Sequence, residues 1–270
     1  VILSPAAVVR LAAALPGLVA EVRGALAQAA PIVVVGPPAS SVELARGLAR
    51  DGDRSLVREL PVALLRDGAL AGAAAVVYIV KGELTPTDDR ALGAAARARV
   101  PVVCLVLGPE GYLDVLSLVP ASTVVRARTI DDATVAAVAE RLAARGVDAL
   151  WPVARALPVL RAPVLRALDR PYAGRGLAFG ALGRPLADPS GVVLNQVRMV
   201  LRQAAVGGVD PGRAFPLAIA GAAGAGLGLG ALTRRIAGRR IRPLEVAVAY
   251  GGTWALARVV ATVLERRSAA

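Results

Sequence analysis

The sequence predicts two parts: an α/β domain with a doubly wound, mostly parallel sheet, then an all-helical, glycine-rich domain. Two observations carry this. Short β-branched runs alternate with helical stretches up to about residue 147 and then stop. The charge changes at the same place, with 15 basic and 15 acidic side chains in residues 1–148 against 17 basic and 5 acidic in 149–270. Alternation of strand and helix implies parallel neighbours, because a parallel pair needs a crossover connection. The expected domains are an N-terminal amphipathic helix (1–27), an α/β domain (28–147) and a basic, apolar helical domain (148–270).

The first stretch, residues 1–27, has helical periodicity kinked or broken at Pro16, and is expected to pack on the α/β domain or beside it. The runs PIVVVG, RSLVREL, AAAVVYIV, VPVVCLVLG and STVVRAR read as strands. Between them SSVELARGLARDG, TPTDDRALGAAARAR and DDATVAAVAERLAARG read as helices. The second has the strongest start, with Thr85 as cap, Pro86 at the first helical position and Asp88 in the first turn. The pairs Asp88-Asp89 and Asp131-Asp132 both fall at helix starts, where carboxylates meet the positive end of the dipole, so they read as structural.

Beyond Gly146 apolar residues recur at helical spacing with interleaved arginines, and prolines cut the run into short helices. Pro216–Thr233 is 18 residues without a charge, at the lower edge of bilayer-spanning length. Its glycines at 221, 224, 226, 228 and 230 suit close helix packing in a membrane and weaken a helix in water. Leu244–Leu264 carries Glu245 and Arg258 and makes a poor free-standing span. Two readings stay open: a pair of buried helices, or a hairpin that dips into a membrane. Arg234, Arg235, Arg239, Arg240 and Arg242 form the connector, a contact for an anionic membrane or other polyanion.

Composition narrows the chemistry. Of 270 residues 56% are hydrophobic but only 3% aromatic, and mean hydropathy is +0.60, so the core is built of Ala, Val and Leu. There is no histidine, which excludes Ser-His and Cys-His catalysis and leaves little for zinc. The single cysteine, Cys104, has no disulfide partner and reads as a core filler in a reducing compartment. No secretory leader is expected from the opening residues. Thirty-one arginines against one lysine, Lys81, point to a GC-rich bacterial genome. The net charge of +12 lies wholly in the second part, so a polyanion is expected there. Nucleic acid is disfavoured, because stacking aromatics are nearly absent and the arginines punctuate apolar helices.

The stretch PIVVVGPPASSVELARGLA has the outline of a phosphate-binding loop. A working loop reads G-x-x-x-x-G-K-[ST]. Aligned on Gly36, Ser41 takes the second glycine, Val42 the lysine and Glu43 the magnesium-binding hydroxyl. Pro37 and Pro38 remove two backbone donors. A carboxylate about 4 Å from a phosphate charge repels it by roughly 4 kcal/mol at an effective dielectric near 20. Nucleotide and metal are therefore not expected here. Ser40 and Ser41 remain as a helix cap or weak anion contact, with the cap preferred.

The stretch AAAVVYIVKGELTPTD resembles the strand, loop and helix start after switch II in Era-like bacterial GTPases. The guanine-reading N-K-x-D is replaced by Leu107-Gly108-Pro109-Glu110, and the D-x-x-G of switch II has no counterpart. The first part thus resembles a degenerate P-loop GTPase fold without its nucleotide motifs. In the second part ALPVLRAPVLRAL, LNQVRMVLRQAAVGG and VAYGGTWALARVVATVLE are similar to the YcjF-like bacterial domain that often follows a GTPase domain. Asn195, Gln196, Met199, Tyr250, Gly251, Gly252 and Thr253 sit at matching positions. RPLADPSGVV replaces that family's usual entry, and Ala257-Arg258 stands where it commonly has a glycine.

The resemblance implies a bacterial protein at or in the cytoplasmic membrane. The expected role is a non-catalytic scaffold or regulator built on a pseudo-GTPase, without cofactor, partnered by an anionic bilayer and by a GTPase-like protein or itself. The alternatives are a weak GTP-binding or hydrolysing protein, and nucleic-acid binding through the basic part.

Overall fold

The computed structural model describes residues 5–65, 68–108, 115, 117–181, 189–214, 255–256 and 258–264. They form two compact units, one of residues 28–164 and one of residues 1–27 with 165–270.

The first unit is α/β. Its five strands are β1 (Ile32–Val35), β2 (Val57–Leu60), β3 (Ala75–Lys81), β4 (Val102–Leu107) and β5 (Val124–Ala127). They pair in the order β2-β1-β3-β4-β5 and every pair is parallel. Register is set by Ile32 opposite both Val57 and Ala75, and by Tyr78 opposite Cys104. Each of Ile32–Val35 is fully buried, which is why β1 is a continuous apolar run rather than an alternating one.

Among the described residues three long helices pack on the sheet: α2 (Pro38–Leu48), α3 (Pro86–Arg97) and α4 (Asp132–Ala154). α3 packs Ala91, Leu92 and Ala95 against Val33, Val35, Val76, Tyr78, Val80, Cys104 and Val106. α2 and α4 touch one another, α2 lying on β1 and β2 and α4 on β3, β4 and β5. Alternate strand residues therefore face different helical layers, as the doubly wound reading requires.

Cys104 is fully buried in this core, and burial pushes its thiol up to about 12. A thiol so placed is almost wholly un-ionised at neutral pH and shielded from solvent. Ellman's reagent is expected to titrate no thiol in the native chain and one in denaturant. One equivalent reacting within minutes under native conditions would contradict this packing.

Residues 148–164, read from sequence as the start of the helical domain, belong to the α/β unit. α4 runs on through a break at Gly146, where φ and ψ leave helical values, to Ala154. A Cβ on Gly146 would lie 2.9 Å from the Pro101 ring, so the break lets the helix pass close to the entry of β4. The chain after α4 closes onto the loop behind α2. Asp53 N donates to Ala156 O at 3.0 Å, and Leu150, Trp151 and Leu157 are buried.

The second unit contains α1 (Pro5–Ala27), α6 (Asp169–Ala181), α7 (Pro189–Val206) and a helical stretch at residues 255–256 and 258–264, with α5 (Pro158–Ala167) leading into it. α1 runs through Pro16 without ending there. It packs on α7 of its own unit, and Leu18 and Val22 are buried. Glu21 accepts from Arg198 at 2.9 Å and Arg202 at 3.1 Å, and Arg23 forks onto Asp210 at 3.0 and 3.2 Å. No described helix is long and apolar enough to cross a membrane.

Candidate functional site

In an open parallel sheet the place to look is beyond the carboxyl ends of the strands, where the strand order reverses, here between β1 and β3. The turn Gly36–Glu43 lies there. Gly36 takes φ +157°, and a Cβ on it would meet Ile79 Cβ at 2.7 Å and Ile79 O at 3.1 Å. Close approach of β3 thus accounts for the glycine without any ligand.

α2 begins earlier than the serines suggest. Its N-cap is Pro37, which makes no side-chain cap bond, and Pro38 is the first helical residue. Ser40 and Ser41 therefore sit at the third and fourth helical positions and neither caps the helix, which corrects the preferred reading of the pair. Ser41 N is already committed to Pro37 O at 2.9 Å. Ser41 is 3% exposed and lies on the buried side of α2 with Leu44, Ala45 and Leu48. With no N–H on Pro37 or Pro38, the helix start offers half its usual free donors. Val42 is half-buried and Glu43 exposed. No residue of this turn is cationic.

The other turn of this edge follows β3. Thr85 and Asp88 form a reciprocal capping box at the start of α3: Asp88 N donates to Thr85 Oγ1 at 3.3 Å, and Thr85 N donates to Asp88 Oδ2 at 2.8 Å. Asp88 also accepts from Thr85 Oγ1 at 2.6 Å and from the hydroxyl of fully buried Tyr78. Burial pushes the Asp88 carboxyl up, but the bonds from Thr85 and Tyr78 outweigh it and hold it below the ordinary carboxylate value. Burial foremost, then the bond to Asp88, raises the Tyr78 phenol far above its usual range. Every part of this cluster is explained by holding β3 to α3. Sequence shows Thr85 as the cap and Asp88 as a first-turn acid, and the structure adds the reciprocal bond that closes the box. The Tyr78 bond leaves only a faint signal, a lone aromatic in a β-branched strand.

A groove of about 460 Å³ runs between α2 and α4, lined by Glu43, Arg46, Arg50, Arg54, Asp131 and Asp132 among others. Its charges largely answer one another. Arg50 forks onto Asp132 at 2.6 and 2.8 Å, and Arg54 reaches Glu59 at 3.3 Å. Asp131 caps α4 by accepting from Thr134 N at 2.8 Å, and that bond foremost lowers its pKa. The hydrogen bond and charge of Arg50 hold Asp132 below its ordinary value too. Asp88, Asp131 and Asp132 thus do structural work at helix starts, while Asp89 lies exposed in the first turn of α3. Among the described residues no group of three or more Cys, Asp or Glu side chains is placed to hold a metal ion.

In the helical unit Asn195, Gln196 and Met199 come together on the buried side of α7, at 5%, 3% and 0% exposure. Asn195 Nδ2 donates to Tyr172 O of α6 at 3.0 Å, tying the two helices. The Tyr172 ring carries the guanidinium groups of Arg175 and Arg202 at 5.0 and 5.8 Å from its centroid. Asp169, also buried, accepts from Arg258 Nε at 3.1 Å and so clips the C-terminal helix to α6. Tyr250, Gly251, Gly252 and Thr253 lie outside the described residues. So do Arg234, Arg235, Arg239, Arg240 and Arg242, and nearly all of the stretch 216–264 beyond its last turns. No protein-family model, curated protein or solved structure matches the chain.

Proposed function

We propose that the protein is a non-catalytic scaffold or regulator at the bacterial cytoplasmic membrane, built on a degenerate GTPase-like domain that has lost its nucleotide. The observation that carries this reading is the turn after β1. Its strand, glycine and helix have the outline of a phosphate loop, yet the glycine is required by Ile79, two donors are prolines, Val42 stands at the lysine position and Glu43 at the magnesium-binding hydroxyl. An all-parallel sheet with reversal between β1 and β3 is compatible with this ancestry, though unrelated nucleotide-binding folds share its order. Membrane association rests on charge: the unit of residues 1–27 and 165–270 has 17 basic and 6 acidic side chains. The α/β unit supplies the surface for a protein partner, a GTPase relative or a second copy.

The test is a titration of the full chain with a fluorescent GTP analogue and magnesium, beside flotation on vesicles. No saturable nucleotide binding is expected up to millimolar concentration, together with co-flotation on anionic vesicles. A micromolar Kd for GTP would replace this reading with that of a working GTPase.

A further inference from the structure

The groove between α2 and α4 belongs wholly to the α/β unit, and every residue that lines it is described. Its floor is apolar. Gly47 brings the two helices so close that a Cβ on it would lie 2.6 Å from Val135 Cγ2, and half-buried Ile130 with buried Ala49 and Val135 line the same cavity. Six charged side chains stand around this floor, and four are committed elsewhere. Arg50 holds Asp132, Arg54 pairs with Glu59, which is not part of the lining, and Asp131 caps α4. The other two are Glu43 and Arg46. Both are exposed, and among the described residues their side chains make no hydrogen bond or ion pair. They stand at i and i+3 on α2, so they share one face of the helix.

We propose that this groove binds a small zwitterion, an α-amino acid with an aliphatic side chain, whose carboxylate Arg46 takes and whose ammonium Glu43 takes. Charge selects the class. The four committed side chains of the lining cancel, two cations against two anions, which leaves one cation and one anion to be answered. A simple anion would satisfy Arg46 and meet the like charge of Glu43, and a simple cation would do the reverse. A ligand carrying one charge of each sign gains two charge-assisted hydrogen bonds. It displaces little, because a direct pair between exposed side chains at this spacing is weak. Size agrees: the cavity of about 460 Å³ falls among small-ligand cavities, which run from roughly 300 to 1,000 Å³. The apolar floor selects the side chain, since Ile130 and Val135 offer it aliphatic contact and no hydrogen bond. This inference does not depend on the membrane reading. Glu43, which opposes phosphate at the turn after β1, here accepts from an ammonium.

The test is calorimetric titration of the full chain with leucine, N-acetylleucine, leucinamide and inorganic phosphate. Leucine should bind saturably at millimolar concentration, and each derivative, having lost one charge, about tenfold more weakly. The two variants read the two contacts separately. Glu43→Gln should weaken leucine about tenfold and leave N-acetylleucine unchanged, because that derivative has no ammonium to lose. Arg46→Gln should weaken leucine to the same degree and leave leucinamide unchanged. Both positions are exposed, so urea unfolding of either variant should match the parent, which separates a lost contact from lost folding. A flat leucine titration of the parent, or a leucine affinity that neither variant lowers, would overturn the site. Phosphate binding more tightly than leucine would overturn it too, since the groove would then act as an anion site in spite of Glu43.

Discussion

Asp88→Ala should destabilise the α/β unit by about 2–4 kcal/mol. Loss of a helix cap costs about 1 kcal/mol, and a buried hydroxyl left without its acceptor costs about 1–3 kcal/mol more. Asp88 serves both functions, closing the box with Thr85 and accepting from Tyr78, whose ring is fully buried beneath α3. Trp151, buried in the same unit, reports its unfolding in urea once Trp254 is replaced by Phe. Tyr78→Phe removes the donor as well as its need for an acceptor, and should cost about 1 kcal/mol. The double variant should then lose less than the two single losses together, because Asp88→Ala no longer strands a hydroxyl. Strict additivity would show that the two side chains are not coupled.

The same carboxylate gives a pH signature. Its folded pKa is depressed, so its contribution is fully present above the unfolded aspartate value near 4 and is lost as pH falls through the folded value. The gap in stability between the parent and Asp88→Ala should therefore be constant from pH 5 to 8 and narrow below about pH 4. Asp53, Asp131, Asp132 and Asp210 are depressed in the same direction, so acid weakens the parent through several groups at once. Comparison with the variant isolates the share of Asp88.

What was legible in the sequence was whatever local rules decide. β-Branched runs give the five parallel strands, and Thr85-Pro86 with Asp88 gives the start of α3 to the residue. What depended on distant partners was not legible. α1 docks on α7 with Leu18 and Val22 buried and Glu21 meeting Arg198 and Arg202, 177 and 181 positions away, and no pattern in residues 1–27 names that partner helix. The limit of the α/β unit moved to Val164 because the chain after α4 bonds to the loop behind α2, whereas composition and charge change nearer Gly146. At the candidate site the serine pair invited a cap, but Pro37 and Pro38 start the helix earlier and carry Ser40 and Ser41 into its first turns. Gly36 was visible as a turn residue; that its necessity comes from β3 was not.

Gly36→Ala is the substitution that divides the two meanings of this turn. The added Cβ would come within 2.7 Å of Ile79 Cβ, 3.1 Å of Ile79 O and 3.4 Å of Ile79 Cα. Two of these are main-chain atoms of β3, next to the register that pairs Val35 with Tyr78, so relief requires moving a central strand. Overpacking costs roughly 1–3 kcal/mol, and a backbone region nearly reserved for glycine roughly 1–3 kcal/mol more. A loss of about 2–6 kcal/mol is expected, read by urea unfolding through Trp151. Ile79→Ala should not rescue it, because alanine keeps the Cβ that clashes. Nucleotide and phosphate titrations should be equally flat in parent and variant. If instead Gly36→Ala costs less than about 0.5 kcal/mol while abolishing a measurable anion affinity, packing is not what the glycine serves. The turn would then be a binding loop in which the helix start outweighs Glu43, and the nucleotide-free reading would fall with it.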